Sequence, residues 1–158
     1  MNSTEIDSEF GVFLSHNASM AMLIESDFSI PQLINFERRG SSSLGYITVA
    51  EKLPFAIKRV YWTYYAPHEV IRGHHAHREL EQIIFAVSGS ISFELENLRG
   101  EKQFFLLDKP SVGLFIPKLH WRTMEFSHNA VLLCLASEEY DELDYIRNYD
   151  EFRNMRHL

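Results

Sequence analysis

The segment Arg72-Gly73-His74-His75-Ala76-His77 places three histidines within four positions. Residues two apart on a strand point to the same face, so His75 and His77 converge and His74 points away. Two converging imidazoles suit two chemistries. They can ligate a transition metal, or they can take up and return protons near neutral pH, where imidazole is poised between its charged and neutral forms. A metal needs further ligands nearby. Proton transfer needs instead an acidic hydrogen on the substrate and a group that stabilises the charge left behind.

The surroundings of the pair decide between these. The spacing matches the first motif of the cupins, a His-x-His pair followed by an acidic ligand after four intervening residues and then by a glycine at the next turn. Gln82 stands at the acidic position and Gly89 at the glycine. The second cupin motif has a proline and, five residues later, a histidine; here Pro117 leads to Arg122. Two of the four ligand positions therefore hold a neutral amide and a permanent cation. Arginine cannot deprotonate to become a ligand, and its charge repels a divalent ion. A metal could be held only if Glu81 or His120 turned inward. The expectation is a site with no metal and no cofactor, in which the pair does acid–base work and Arg72 and Arg122 lie near the same cavity. His16, His68, His120, His128 and His157 have no comparable context.

The elements that must position these residues read as strands. The chain has 158 residues, 46% apolar, with 12 Phe and 7 Tyr, which favours a single β-rich domain. Strand patterns run over Tyr46–Glu51, Ile57–Tyr65, Gly73–His77, Gln82–Val87, Ile91–Leu95, Lys102–Leu107, Leu114–Pro117, Arg122–Phe126 and Val131–Ala136. Their spacing of roughly ten residues predicts a sandwich or barrel. Ser88-Gly89-Ser90 is read as a hairpin turn joining its two flanking strands, Arg38–Ser43 as a turn cluster, and Glu138–Phe152 as one or two short helices lying on the barrel. Residues 1–30 form an extension, holding a short helix or an added strand, and 31–158 form the barrel. Both faces of Gln82–Val87 and of Arg59–Tyr65 carry apolar residues, so a second subunit is expected to cover the outer face. The net charge of −7 argues against nucleic acid or an anionic membrane as partner, yet local arginines can still hold a diphosphate. Cys134, the only cysteine, lies in an apolar run and reads as a buried inert thiol. The start of the chain lacks the pattern of a secretory signal and no apolar run is long enough for a membrane helix, so the cytoplasm is expected.

From Tyr46 to Phe152 the sequence resembles the dTDP-4-keto-6-deoxyglucose 3,4-ketoisomerases. The matching blocks are Pro54-Phe55 with Ile57-Lys58-Arg59-Val60-Tyr61, then Arg72-Gly73-x-His75-x-His77 with Leu80 and Gln82, then Ser111-Val112-Gly113-Leu114 and Trp121-Arg122. Leu135-Ala136-Ser137, Tyr140-Asp141-Glu142 and Asp144-Tyr145-Ile146-Arg147-Asn148-Tyr149-Asp150 close the series. The resemblance implies an all-β cupin jelly roll with a short C-terminal helix, a homodimer exchanging N-terminal strands, and no cofactor. It implies a thymidine-diphosphate-linked 4-keto-6-deoxyhexose as substrate and its 3-keto isomer, a precursor of 3-amino sugars in surface glycans or antibiotics, as product. It also implies that His75 is the carbon acid–base, that His77 supports it, and that Tyr61 moves the hydroxyl proton. Arg59, Arg72, Gln82, Trp121 and Arg122 are the expected substrate-binding set.

Those residue types fit the chemistry. A ketone at C4 acidifies the C3 hydrogen; one base removes it and can return it to C4, while a phenol relays a proton from the C3 oxygen to the C4 oxygen. Two other readings stay open: a cupin nucleotide-sugar epimerase, which would keep the ketone at C4, and a cupin that only binds a sugar nucleotide. Leu44 and Gly45 stand where the family usually carries Arg-Gly or Tyr-Gly near the sugar, so the C4 configuration of the product is open, as is thymidine against uridine.

Overall fold

A computed structural model describes residues 27–67 and 70–157. Of the extension expected over residues 1–30, with its short helix or added strand, all but residues 27–30 lies outside the described residues, and so do His16, His68 and the side chain of His157. The described residues form twelve strands: β1 (Gln32–Asn35), β2 (Glu37–Ser41), β3 (Gly45–Val49), β4 (Arg59–Thr63), β5 (Arg72–His77), β6 (Gln82–Ser88), β7 (Ile91–Glu96), β8 (Lys102–Leu107), β9 (Val112–Ile116), β10 (Trp121–Phe126), β11 (Val131–Ala136) and β12 (Tyr145–Ile146). One antiparallel sheet has the order β1-β9-β6-β11-β4, the other β12-β5-β10-β7-β8, and β2 and β3 form a separate hairpin. The chain is an all-β jelly roll of the cupin kind, as expected.

The core lies between the two five-stranded sheets, because alternation sends one face of every strand inward. Ile84, Ala86, Leu114, Leu132 and Cys134 of the first sheet meet Ile91, Phe93, Leu107 and Phe126 of the second. The outer face of the first sheet divides in two. Ile83, Phe85, Phe115 and Leu135 are buried under Phe28, Ile34, Phe36, Leu53 and Phe55 of the same chain. Val60, Trp62 and Tyr64 at the β4 edge remain exposed. The chain thus covers part of the face for which a second subunit was expected.

Two local expectations need correction, and a third, the short C-terminal helices, holds with a strand added between them. β6 and β7 are not hairpin partners: β6 pairs with β9 and β11, β7 with β8 and β10. Ser88-Gly89-Ser90 carries the chain from one sheet to the other, and Gly89 takes a φ of +65° where a Cβ would meet Ser127 Oγ at 2.7 Å. The basic and small residues from Arg38 begin a real strand, β2, whose register with β3 is set by backbone pairing rather than by an apolar stripe. The C-terminal segment is a 3-10 turn at Glu142–Asp144, the two-residue β12, and helix α1 (Tyr149–Asn154) with Asn148 as its N-cap. β12 pairs with Ala76 and His77 of β5, a contact too short to show as a pattern in sequence.

Candidate active site

β5 runs from one end of the barrel to the other, and a bulge aims its histidines. His75 pairs with Arg122 of β10 but Gly73 pairs with Thr123, which leaves His74 as the extra residue. His74 has a φ of +54° and turns outward, its ring nitrogen 3.2 Å from the Ile71 carbonyl. Gly73 has a φ of +94°, and a Cβ there would lie 2.6 Å from the Arg122 carbonyl oxygen. Only glycine fits, so Gly73 sets the direction of the pair. The His75 and His77 rings lie 5.0 Å apart and nearly perpendicular, at 87°.

Each imidazole has one nitrogen committed. His75 Nδ1 is 2.9 Å from the Gly73 carbonyl oxygen, and His77 Nδ1 is 2.8 Å from Asp144 Oδ2. Both partners only accept, so in the neutral rings Nδ1 carries the hydrogen and Nε2 keeps its lone pair. The other Asp144 oxygen accepts the Glu79 backbone N–H at 2.7 Å, which fixes the carboxylate. Burial, and after it the Arg122 charge, pulls His75 down to about 4. The same causes hold His77 far below the ordinary histidine range. The His77–Asp144 contact is therefore a hydrogen bond from a neutral imidazole. The two histidines differ in access: His77 is 1% exposed and faced by the Tyr145 ring at 4.2 Å, whereas His75 is only partly buried.

Across the barrel, β4 and β6 supply the facing wall. Gln82 Nε2 donates to the Tyr61 hydroxyl oxygen at 2.7 Å, and the same hydroxyl is hydrogen-bonded to the Cys134 thiol. Burial raises the Tyr61 hydroxyl above its ordinary value, so it stays protonated. Arg59 lies 5.3 Å from the Tyr61 ring centroid. Cys134 sits behind Gln82, its thiol pushed up to about 11 by burial, which is the inert thiol expected.

Arg122 dominates the electrostatics. It is 1% exposed, yet its Nε, Nη1 and Nη2 have no hydrogen-bond partner among the described residues. Arg59 Nε and Gln82 Oε1 are likewise buried and unpartnered. Buried polar groups are normally paired, and a buried unpaired guanidinium is costly. The four cupin ligand positions do fall together at this end of the barrel, but a fixed guanidinium among them does not fit a bound cation.

A model of the family described as "FdtA: WxcM-like, C-terminal" matches residues 26–157. The chain belongs to this family of sugar-nucleotide 3,4-ketoisomerases. A TDP-4-oxo-6-deoxy-alpha-D-glucose-3,4-oxoisomerase of Aneurinibacillus thermoaerophilus is 39% identical over 125 residues, 77% of this chain and 89% of that one. The crystal structure of QdtA, a sugar 3,4-ketoisomerase from Thermoanaerobacterium thermosaccharolyticum in complex with TDP, is 40% identical with a TM-score of 0.76, covering 80% of this chain and 94% of that one. A 3,4-ketoisomerase from Helicobacter canadensis is also 40% identical, with a TM-score of 0.75, covering 80% and 97%.

Within this ketoisomerase-family fold, His75, His77, Tyr61, Arg59, Gln82 and Arg122 gather at one end of the barrel. Two expected residues do not join them. Arg72 lies at the far end of β5, exposed, its guanidinium 5.9 Å from the Phe126 ring. Trp121 is on the opposite face of β10 from Arg122, where its ring packs on Tyr149 and Phe152 and seats α1. Sequence reasoning missed Asp144 and Tyr145 as site residues. Their signal was the density of matched residues in the block they share, which named no role for either.

Proposed function

We propose that this chain is an isomerase that converts TDP-linked 4-keto-6-deoxyglucose into the 3-keto isomer through an enediol, using no metal or cofactor, for 3-amino deoxysugar synthesis in the cytoplasm. The observation that carries the reading is the buried Arg122 guanidinium, paired across the strands with a neutral His75 and lacking an acceptor among the described residues. An oxyanion forming on the substrate supplies that acceptor. The unpartnered Gln82 Oε1 takes a hydroxyl hydrogen, so the wall is complementary to a ketone beside a hydroxyl.

His75 Nε2 removes the C3 hydrogen, and the electron pair moves into the C4 carbonyl to give an enediolate. Arg122 stabilises the oxygen charge, as preorganised donors do in a site closed to water. Tyr61 gives its proton to the C4 oxygen and takes one from the C3 oxygen. His75 returns its proton to C4. One C–H bond breaks and one forms, and the oxidation at C3 balances the reduction at C4. The enediolate also offsets the Arg122 charge that depresses His75, so the base strengthens as the intermediate forms. His77 and Asp144 hold the geometry behind His75. Incubation with TDP-4-keto-6-deoxyglucose and a 3-aminotransferase, followed by NMR of the trapped sugar, tests the reading. Nitrogen at C3 supports it; a ketone that stays at C4 points to an epimerase.

The reading extends to a homodimer. Val60, Trp62 and Tyr64 expose an apolar strip on the β4 edge, and Leu44, Tyr46 and Ile47 expose another on the β2–β3 hairpin. A second copy packed on β4, with the hairpins exchanged, would bury both. Light scattering should give twice the chain mass, reduced to the monomer by Trp62→Glu; a wild-type monomer contradicts the assembly.

A further inference from the structure

The wall that faces the histidines holds one group the isomerisation does not yet use. Cys134 is fully buried and stands directly opposite Tyr61, on β11 against β4. Opposite residues on paired strands share a face, and both side chains pack into the barrel core. Burial pushes the thiol up to about 11, so at working pH the sulfur keeps its hydrogen and is no nucleophile. Its contacts are hydrogen bonds. The S–H donates to the Leu135 carbonyl oxygen at 3.6 Å. Gln82 Nε2 donates to the Tyr61 oxygen at 2.7 Å and to the Cys134 sulfur at 3.3 Å. The Tyr61 hydroxyl and the Cys134 thiol are bonded to each other as well.

The direction of that last bond follows from the others. The thiol has one hydrogen, and Leu135 takes it. Toward Tyr61 the sulfur can only accept, so the phenolic hydrogen points at sulfur. Tyr61, Gln82 and Cys134 thus close a triangle, with the phenol oxygen gripped by the amide and its hydrogen turned to the thiol. Sulfur is a weak acceptor, so it orients the hydrogen without keeping it from a better one. A better acceptor has its place at the same end of the barrel. Gln82 Oε1 and the three Arg122 guanidinium nitrogens are buried there with no partner among the described residues.

We propose that Cys134 is a positioning residue for the oxygen-to-oxygen proton transfer: its sulfur holds the Tyr61 hydrogen in the free protein and yields it to the substrate oxygen. This rests on the ketoisomerase reading above. When the keto-sugar enters, the hydroxyl rotates about its C–O bond from sulfur to the C4 oxygen. No bond to sulfur forms, and the thiol keeps its own hydrogen throughout. The phenolic O–H breaks only when the enediolate takes the proton, and Tyr61 then recovers one from the C3 hydroxyl.

Cys134→Val and Cys134→Ser separate positioning from packing. Valine fills the apolar site and accepts nothing. Serine keeps an acceptor and a donor but puts a hydroxyl into an apolar core. Cys134→Val should lower kcat by about fivefold, from the usual size of a neutral hydrogen bond, with KM within about twofold of wild type. Cys134→Ser should melt below Cys134→Val yet keep the higher kcat, whereas packing alone orders both properties the same way. In a Tyr61→Phe background Cys134→Val should cost nothing further, because the sulfur acts only through that hydroxyl. A second readout needs no turnover. The chain has one cysteine, so the infrared S–H stretch belongs to Cys134 alone. It should move to higher frequency in Tyr61→Phe, where the sulfur no longer accepts and the S–H donates less strongly. It should move the same way when His75→Asn is loaded with TDP-4-keto-6-deoxyglucose. A Cys134→Val rate equal to wild type, a rate order that follows the melting order, or an S–H band unmoved by Tyr61→Phe overturns the proposal. A wild type that isomerises no TDP-keto-sugar sinks the ketoisomerase reading instead, and the S–H band of Tyr61→Phe then decides this one alone.

Discussion

The two ends of the barrel interior are built from the same strands to opposite rules. On β10 the inward residues run Arg122, Met124, Phe126, and on β4 they run Arg59, Tyr61, Thr63. At the Phe126 end, Ile91, Phe93, Leu107 and Leu132 pack as an apolar cluster. At the Arg122 end, three guanidinium nitrogens, Arg59 Nε and one amide oxygen are buried without partners among the described residues. One end satisfies its groups within the fold, and the other leaves them for a ligand. Stability and chemistry are therefore separable along a single strand, and each can be changed without the other.

The largest expected effect is at the open end. His75→Asn should lower kcat by about 10²-fold or more with the melting temperature little changed, from the usual contribution of acid–base catalysis. A rate near wild type would remove His75 from the reaction. Arg122→Met should cost about 10²-fold in kcat, the size seen for removal of an oxyanion donor. The same substitution should hold or raise the melting temperature, since it replaces a buried unpaired charge with an apolar side chain of similar length. A large fall in stability would mean that Arg122 is paired in the free protein. At the closed end, Phe93→Ala should destabilise the fold by about 3–5 kcal/mol by denaturant titration, while kcat of the remaining folded fraction stays near wild type.

The smallest effect is in pH dependence. His75 is held at about 4 against 6.5 for an unperturbed histidine. Because the folded value is the lower, its contribution to stability is full above the unfolded value and is lost as pH falls through the window down to about 4. His75→Asn should flatten the stability slope there. The acid limb of kcat/KM should lie below pH 6 in wild type and move upward in Arg122→Met, where the cation beside His75 is gone. An unmoved limb would mean that burial alone sets the value.

Much of this contrast could be read in the residues before any coordinates. Period-two alternation placed the middle strands and the convergence of His75 with His77, since burial on one face enforces it. Counting from His77 brought Gln82 to its position and counting from Pro117 brought Arg122, because cupin ligand spacing reflects strand geometry. Tyr61 came only through family resemblance; nothing in its own strand marks it off from Thr63. What failed depended on contacts made by very few residues. The two-residue β12 has no period, so Asp144 could not be placed against His77. Trp121 and Arg122 are neighbours in sequence, and adjacent strand residues face opposite ways, which puts Trp121 under α1. Arg72 is three residues from His75, and the bulge at His74 and the length of β5 carry it to the closed end.

The most direct measurement is to run the reaction in D2O with TDP-4-keto-6-deoxyglucose and follow the ring protons by NMR, comparing wild type with His75→Asn. The account predicts that wild type moves the ketone to C3 and places hydrogen from its base, exchanged in part for deuterium, at C4, and that His75→Asn does neither at a comparable rate. A wild-type product with the ketone still at C4, or a His75→Asn protein that isomerises as fast as wild type, would contradict it.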